Sequence, residues 1–162
     1  MLLRSDMSDP SQLLELTLMA VHQQLDQIFF RHQCALLDRD APRASHCLAE
    51  YSAMLLAHID EEERFILPCY AAHGGDATDA PVRLFQGEHH NLRRFLMDFA
   101  ERLRVWSQSP DDRLLLELFD RQATFKNLLL HHDLRERNML YPHLSRSLSA
   151  TEQQCLLAEL RG

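Results

Sequence analysis

Proline is tolerated in an α-helix only in the first turn, where its missing N–H has no partner to lose. In this chain it stands just after a polar capping residue at four places: Asp9-Pro10, Asp40-Ala41-Pro42, Asp79-Ala80-Pro81 and Ser109-Pro110. Between these marks the apolar residues keep helical spacing. Leu14, Leu18, Val21, Leu25, Ile28 and Phe29 form one stripe, and Tyr51, Met54, Leu55, Phe65 and Ile66 a second. Val82, Phe85, Leu92, Leu96 and Phe99 form a third, and Leu118, Phe125, Leu128, Leu129, Met139 and Leu140 a fourth. The pattern predicts long helices near 10–38, 41–72, 81–106 and 110–143. Ser149-Ala-Thr-Glu152 has the spacing of a capping box and predicts a short terminal helix. All connections are short except 73–79, and short links make neighbouring helices antiparallel. The expected fold is therefore all-α: an antiparallel up-down-up-down four-helix bundle with a short C-terminal helix. Residues 1–9 would form a tail, 10–144 the bundle, and 145–162 the short helix packed on or beside it.

The 162 residues suffice for one domain with a real core. Seventeen basic against 24 acidic side chains give a formal charge of -7. That is the wrong sign for binding nucleic acid through phosphate neutralisation. The first ten residues are too short and polar for a signal peptide, and no apolar run approaches the roughly 20 residues that span a bilayer. The expectation is a soluble cytoplasmic protein with neither membrane nor nucleic acid as partner. Cys34, Cys47, Cys69 and Cys155 form no CxxC pair and read as free thiols. Histidine stands out at 10 residues, since imidazole is the commonest metal ligand.

An internal repeat says which histidines matter. With His132 laid over His58, Tyr51 meets Phe125, Met54 meets Leu128, Leu55 meets Leu129, Glu62 meets Glu136, Phe65 meets Met139, Ile66 meets Leu140 and Pro68 meets Pro142. The shared frame is H-x-x-x-E-x-x-x-x-x-P. The first and third helices match more weakly, with His89 over His22, Leu18 over Phe85 and Leu25 over Leu92. Residues at i and i+4 lie one turn apart on one helix face, so each His-Glu pair can reach one interior point. An ionised carboxylate in an apolar stripe is costly unless a cation neutralises it. Four inward histidines with two carboxylates make a two-metal site in which the carboxylates bridge.

Neighbouring candidates are separated by their flanks. Glu61 has Arg135 as its counterpart, so Glu62 is the shared position. His131 lacks a glutamate at +4, and His90 has Gln86 and Arg93 around it where His89 has Phe85 and Leu92. His46 and Glu50 repeat the short motif without its flanks and read as a surface pair. Asp26, four after His22, reads as solvated. Glu63 and Glu88, beside ligand positions, are either groups that orient imidazoles or surface charge. His32, His73 and His143 are expected to have no metal role.

These residues resemble a hemerythrin-like (HHE cation-binding) domain over essentially residues 10 to 144. The resemblance implies a four-helix bundle around a non-haem di-iron centre, two iron ions with an oxo or hydroxo bridge. It implies His22, His58, Glu62, His89, His132 and Glu136 as ligands, with the two glutamates bridging and two histidines on each metal. The same donor types accept manganese or zinc, so iron rests on the resemblance. The sequence departs from the oxygen-carrying members, which have H-x-x-x-H in the third helix where Arg93 follows His89 here, and an aspartate at longer spacing in the fourth. Fewer protein ligands leave more positions open. A bacterial subgroup associated with nitric-oxide response and iron-sulfur repair is similar, but its cysteine-containing N-terminal domain has no counterpart in this sequence, which counts against repair.

Three functional classes follow. The first is a di-iron protein that binds or senses oxygen, nitric oxide or iron, with a small diatomic ligand or a peroxide as partner. The second is a di-iron enzyme that reduces a peroxide or nitrogen oxide or assists iron-sulfur repair. The third is a metal-free helical interaction protein. A homodimer is compatible with all three.

Overall fold

The computed structural model describes residues 10–160; the tail read over 1–9, including Asp9 of the first capping mark, lies outside the described residues. Those residues are almost entirely helical, and no strand occurs among them. Helix α1 (Pro10–Leu37) is followed by α2 (Ala41–Glu61), a π-helical turn (Glu62–Ile66) and α3 (Leu67–Ala72) as one run. A 3₁₀ turn (Gly75–Ala77) leads to α4 (Val82–Gln108). The last long run is α5 (Asp112–Arg135), a second π turn (Glu136–Leu140) and α6 (Tyr141–Ser147), and α7 (Ala150–Glu159) closes the described chain.

Two expected starts are built as read. The Asp40 side chain accepts from Arg43 N–H at α2. At α7 Ser149 and Glu152 form the reciprocal capping box. Two starts are corrected. Helix α4 begins after Pro81, and Asp76 rather than Asp79 accepts from Val82 N–H. Helix α5 begins after Asp111, whose side chain accepts from Arg113 N–H, so Ser109-Pro110 precedes the helix.

The larger correction concerns the runs 41–72 and 110–143, expected as unbroken helices. Each contains a π turn that starts at the glutamate of its H-x-x-x-E-x-x-x-x-x-P frame. The proline of the frame is the physical cause. In a regular helix Pro68 and Pro142 would have no N–H to give, and their rings would press on the carbonyl four residues back. A wider turn, with Leu67 N–H on Glu62 O and Tyr141 N–H on Glu136 O, inserts an extra residue and relieves the clash. The insertion rotates the faces that follow by about 100°. Leu67 and Tyr70, and Tyr141 and Leu144, are therefore buried, whereas Phe65 and Met139 are only half-buried.

The apolar interior falls into two clusters. One joins Ala35 and Leu36 of α1, Ala44 to Ile59 of α2, Leu92 to Trp106 of α4, and Leu115, Leu118 and Phe125 of α5. The other joins Leu14 and Leu18 to Ile66, Leu67, Tyr70, Phe85, Leu140, Tyr141, Leu144, Leu156 and Leu157. Tyr51 and Phe125, equivalent in the repeat, meet edge to face with ring centroids 6.0 Å apart. His22 lies in sequence between Leu18 of one cluster and Leu25 of the other, and His89 between Phe85 and Leu92. A polar layer thus separates two apolar ones.

Candidate metal centre

All six residues expected to hold metal meet in that layer. His22 is partly buried; His58, Glu62, His89, His132 and Glu136 are buried. The imidazoles form two pairs. His22 and His58 bring their Nε2 atoms to 2.9 Å, with centroids 4.9 Å apart and planes at 81°. His89 and His132 have the same centroid separation, 4.9 Å, with planes at 72°. Each carboxylate lies between the pairs. Glu62 places Oε1 3.5 Å from His58 Nε2 and Oε2 3.2 Å from His89 Nε2. Glu136 places Oε1 2.8 Å from His132 Nε2 and Oε2 3.4 Å from His22 Nε2. One atom from each of Glu62, His89, His132 and Glu136 lies within 4.8 Å of the others, and the same holds for His22, His58 and Glu136.

Behind this layer stand three carboxylates, each shared between an imidazole and an arginine. His89 Nδ1 is 3.0 Å from Glu63 Oε1, which Arg93 also grips at 2.9 Å. His132 Nδ1 is 2.9 Å from Glu88 Oε2, and Arg135 holds the other oxygen of Glu88. His22 Nδ1 is 2.5 Å from Asp133 Oδ1, and Arg137 reaches Asp133 at 2.9 Å. An ionised carboxylate only accepts, so each Nδ1 is the donor in these contacts and each Nε2 is left facing the interior. His58 differs: its Nδ1 is buried without a partner.

Glu63 and Glu88 are thus imidazole partners rather than free surface charge. Asp133 was not singled out from the sequence. Its signal is that it follows His132 directly, on a helix whose His132 already faces inward. Tyr141 was also missed. Its hydroxyl donates to Glu136 Oε2 at 3.1 Å, and the π turn is what carries it to the site. The rejected candidates His46, Glu50, His90, His131 and Asp26 are exposed. His32 is buried outside the centre, its Nδ1 donating to Ala44 O and its Nε2 accepting from Gln122.

The electrostatics are those of a centre built around positive charge. Burial, with Glu136 beside it, pushes the Glu62 carboxyl well above the usual carboxylate range. Burial also works against Glu136, yet His132 next to it holds that carboxyl below the usual range. His132 is correspondingly raised: burial opposes its charge, and Glu136 overcomes it. Burial lowers His58 to about 3 and His89 to about 4, so both are neutral lone-pair donors at neutral pH. Both oxygens of Glu62 and Nε2 of His89 are buried with no hydrogen-bond partner, and Oε1 of Glu136 meets His132 Nε2 at 2.8 Å. A buried acceptor left unpaired costs on the order of 1–3 kcal/mol, and three in one layer are explained when a cation is their partner. The donors are imidazole nitrogen and carboxylate oxygen, the set suited to iron, manganese or zinc. The residues therefore fit a metal centre.

A cavity of about 430 Å³ reaches the layer between α1 and α5. Leu25, Leu55, Leu129 and Leu130 give its apolar wall, Asp26, Lys126, Asn127 and Asp133 its polar one, and His22, His58 and His132 border it.

The family comparison agrees with this geometry. The hemerythrin HHE cation-binding domain matches residues 16–144. The chain belongs to that family. No curated protein and no solved structure matches it significantly. Among the described residues no helix is long and apolar enough to cross a membrane.

Proposed function

We propose that this protein holds two iron ions between four helical runs packed as an antiparallel up-down-up-down bundle, and that it binds or senses oxygen, nitric oxide or iron there. His22 and His58 would hold one ion, His89 and His132 the other, with Glu62 and Glu136 shared between them. The observation that carries the reading is the layer of unpaired buried donors at the crossing of two H-x-x-x-E frames. When bound, the two ions supply exchangeable coordination positions and a ferrous-ferric couple.

The chain's own residues do the rest. Asp133, Glu63 and Glu88 fix the proton on Nδ1 of three imidazoles and so aim their Nε2 atoms. The apolar clusters cover the layer on both sides. The cavity gives a small uncharged ligand a route inward along its leucine wall.

Metal analysis of protein purified without oxygen tests the reading. About two irons per chain, with near-ultraviolet absorption that appears on oxidation, is the expected result. A second reading, reduction of a peroxide or nitrogen oxide, is favoured by Tyr141, whose phenol oxygen lies 3.1 Å from Glu136 Oε2 and donates its proton to that bond. Turnover assays with peroxide and nitric oxide on iron-loaded protein separate the two, since binding without turnover selects the sensor.

A further inference from the structure

We infer that the two metal positions are unequal: the one between His89 and His132 holds its ion tightly, and the one between His22 and His58 exchanges it. The inference rests on the two-metal reading above and deepens it.

Four observations separate the positions. Donors converge in a set of four at His89, His132, Glu62 and Glu136, but in a set of three at His22, His58 and Glu136. Glu62 reaches toward the second position only through Oε1, 3.5 Å from His58 Nε2. Both imidazoles of the first position are backed by a carboxylate that an arginine holds in turn, Glu63 with Arg93 and Glu88 with Arg135. At the second position only His22 has such backing, from Asp133, and the Nδ1 of His58 is buried with no partner. A ligating imidazole makes Nδ1 a donor, and at His58 no acceptor stands behind that atom to fix the ring or raise its basicity as a ligand.

Access differs in the same direction. His22 and His58 border the α1–α5 cavity, and the His22 side chain is 13% exposed. His132 also touches the cavity, but His89 and Glu62 do not, and His89 is fully buried. Water or a chelating molecule thus reaches the weaker position first. Loss of a partner behind a ligand typically costs 10–100-fold in metal affinity, so a difference of at least about tenfold is expected before the missing fourth donor is counted.

The full chain, loaded anaerobically with Fe²⁺ alone and mixed with excess chromophoric ferrous chelator, tests this by the time course of iron release. Two phases of about one ion each are expected, with rates at least about tenfold apart. His22→Ala should hold one ion and show only the slow phase. Asp133→Asn, which keeps the side-chain shape, should speed the fast phase and leave the slow one within about twofold. A single phase releasing two ions from the unmodified protein would overturn the inference and leave the di-iron reading standing. So would loss of the slow phase in His22→Ala. Protein that takes up no iron would overturn both.

Discussion

Glu63 accepts the Nδ1 proton of His89 at 3.0 Å while Arg93, one turn beyond that histidine, grips the same carboxylate. Arg93 first, with His89 adding to it, holds the Glu63 carboxyl below its usual range. The carboxylate therefore stays ionised at neutral pH and keeps His89 in one tautomer. By the resemblance read from the sequence, Arg93 stands where an oxygen-carrying member would have a second histidine of the third helix. Here that position supports a ligand candidate from behind instead of adding one.

Removing that support should weaken metal binding without unfolding the chain. Glu63→Ala leaves Nδ1 of His89 without its acceptor, and the ring loses both its aim and part of its basicity. A loss of about 10–100-fold in metal affinity is expected, read by competition with a chelator of known strength. Helix content by circular dichroism should be unchanged, since Glu63 is partly exposed and its ion pair with Arg93 contributes little to stability. Unaltered affinity would make Glu63 a surface residue after all.

The site assignment has a more direct test. His58→Ala combined with His132→Ala takes one imidazole from each pair and breaks both H-x-x-x-E frames. Iron per chain, measured by elemental analysis after anaerobic loading, should fall from about two to near zero. Two irons retained by the variant would sink the assignment. The two substitutions open small cavities in a buried layer, for which a loss on the order of 2–4 kcal/mol in metal-free stability is expected.

Much of the centre was legible because its signals are local. A histidine and a glutamate four apart inside an apolar stripe can face only inward, and the duplicated frame separated His58 and His132 from the exposed pair His46 and Glu50. The caps Asp40 and Ser149 were equally local. What stayed hidden depends on partners distant in sequence or on a change of helical pitch. Asp76 caps α4 from six residues away and displaces the nearer Asp79. Pro68 and Pro142 were visible as parts of the frame, but a proline can kink, end or widen a helix. Only the bond from Leu67 N–H to Glu62 O shows which. Tyr141 follows from that choice, because a regular helix would have turned Met139 to the core in its place. Asp133 became recognisable only once α1 lay beside α5 and brought His22 within 2.5 Å.

The loop between α3 and α4 depends on one close approach. A Cβ on Gly75 would fall 2.3 Å from Cδ1 of Tyr70. That ring cannot move aside, being buried, packed edge to face on Phe85 at 6.0 Å, and tied by its hydroxyl to Thr78 and Ala80 O. Gly75→Ala should therefore cost about 1–3 kcal/mol in chemical unfolding, an overpacking penalty. Gly74→Ala is the comparison, since there the added methyl meets nothing within 4 Å and the strain comes only from φ of +86°. Equal, small effects from both would mean that Tyr70 is less tightly held than its contacts imply.

His32 sets a pH dependence separate from the metal centre. Burial lowers its pKa below the ordinary imidazole value, while its bond to Ala44 O works the other way. The folded state therefore holds His32 neutral at a pH where the unfolded chain takes up a proton. Its contribution to stability is complete above about 6.5, the unfolded value. It is lost as pH falls from there toward the lowered folded value. His32→Gln keeps a polar side chain beside Gln122 and Ala44 but does not titrate. Metal-free wild-type protein should lose more stability between pH 7.5 and pH 5 than this variant, whatever their difference at pH 7.5. Urea midpoints at the two pH values give the comparison, and the difference between the proteins cancels the shared contributions of His58 and His89. Equal losses would show that His32 titrates alike in the folded and unfolded chain, contrary to its burial.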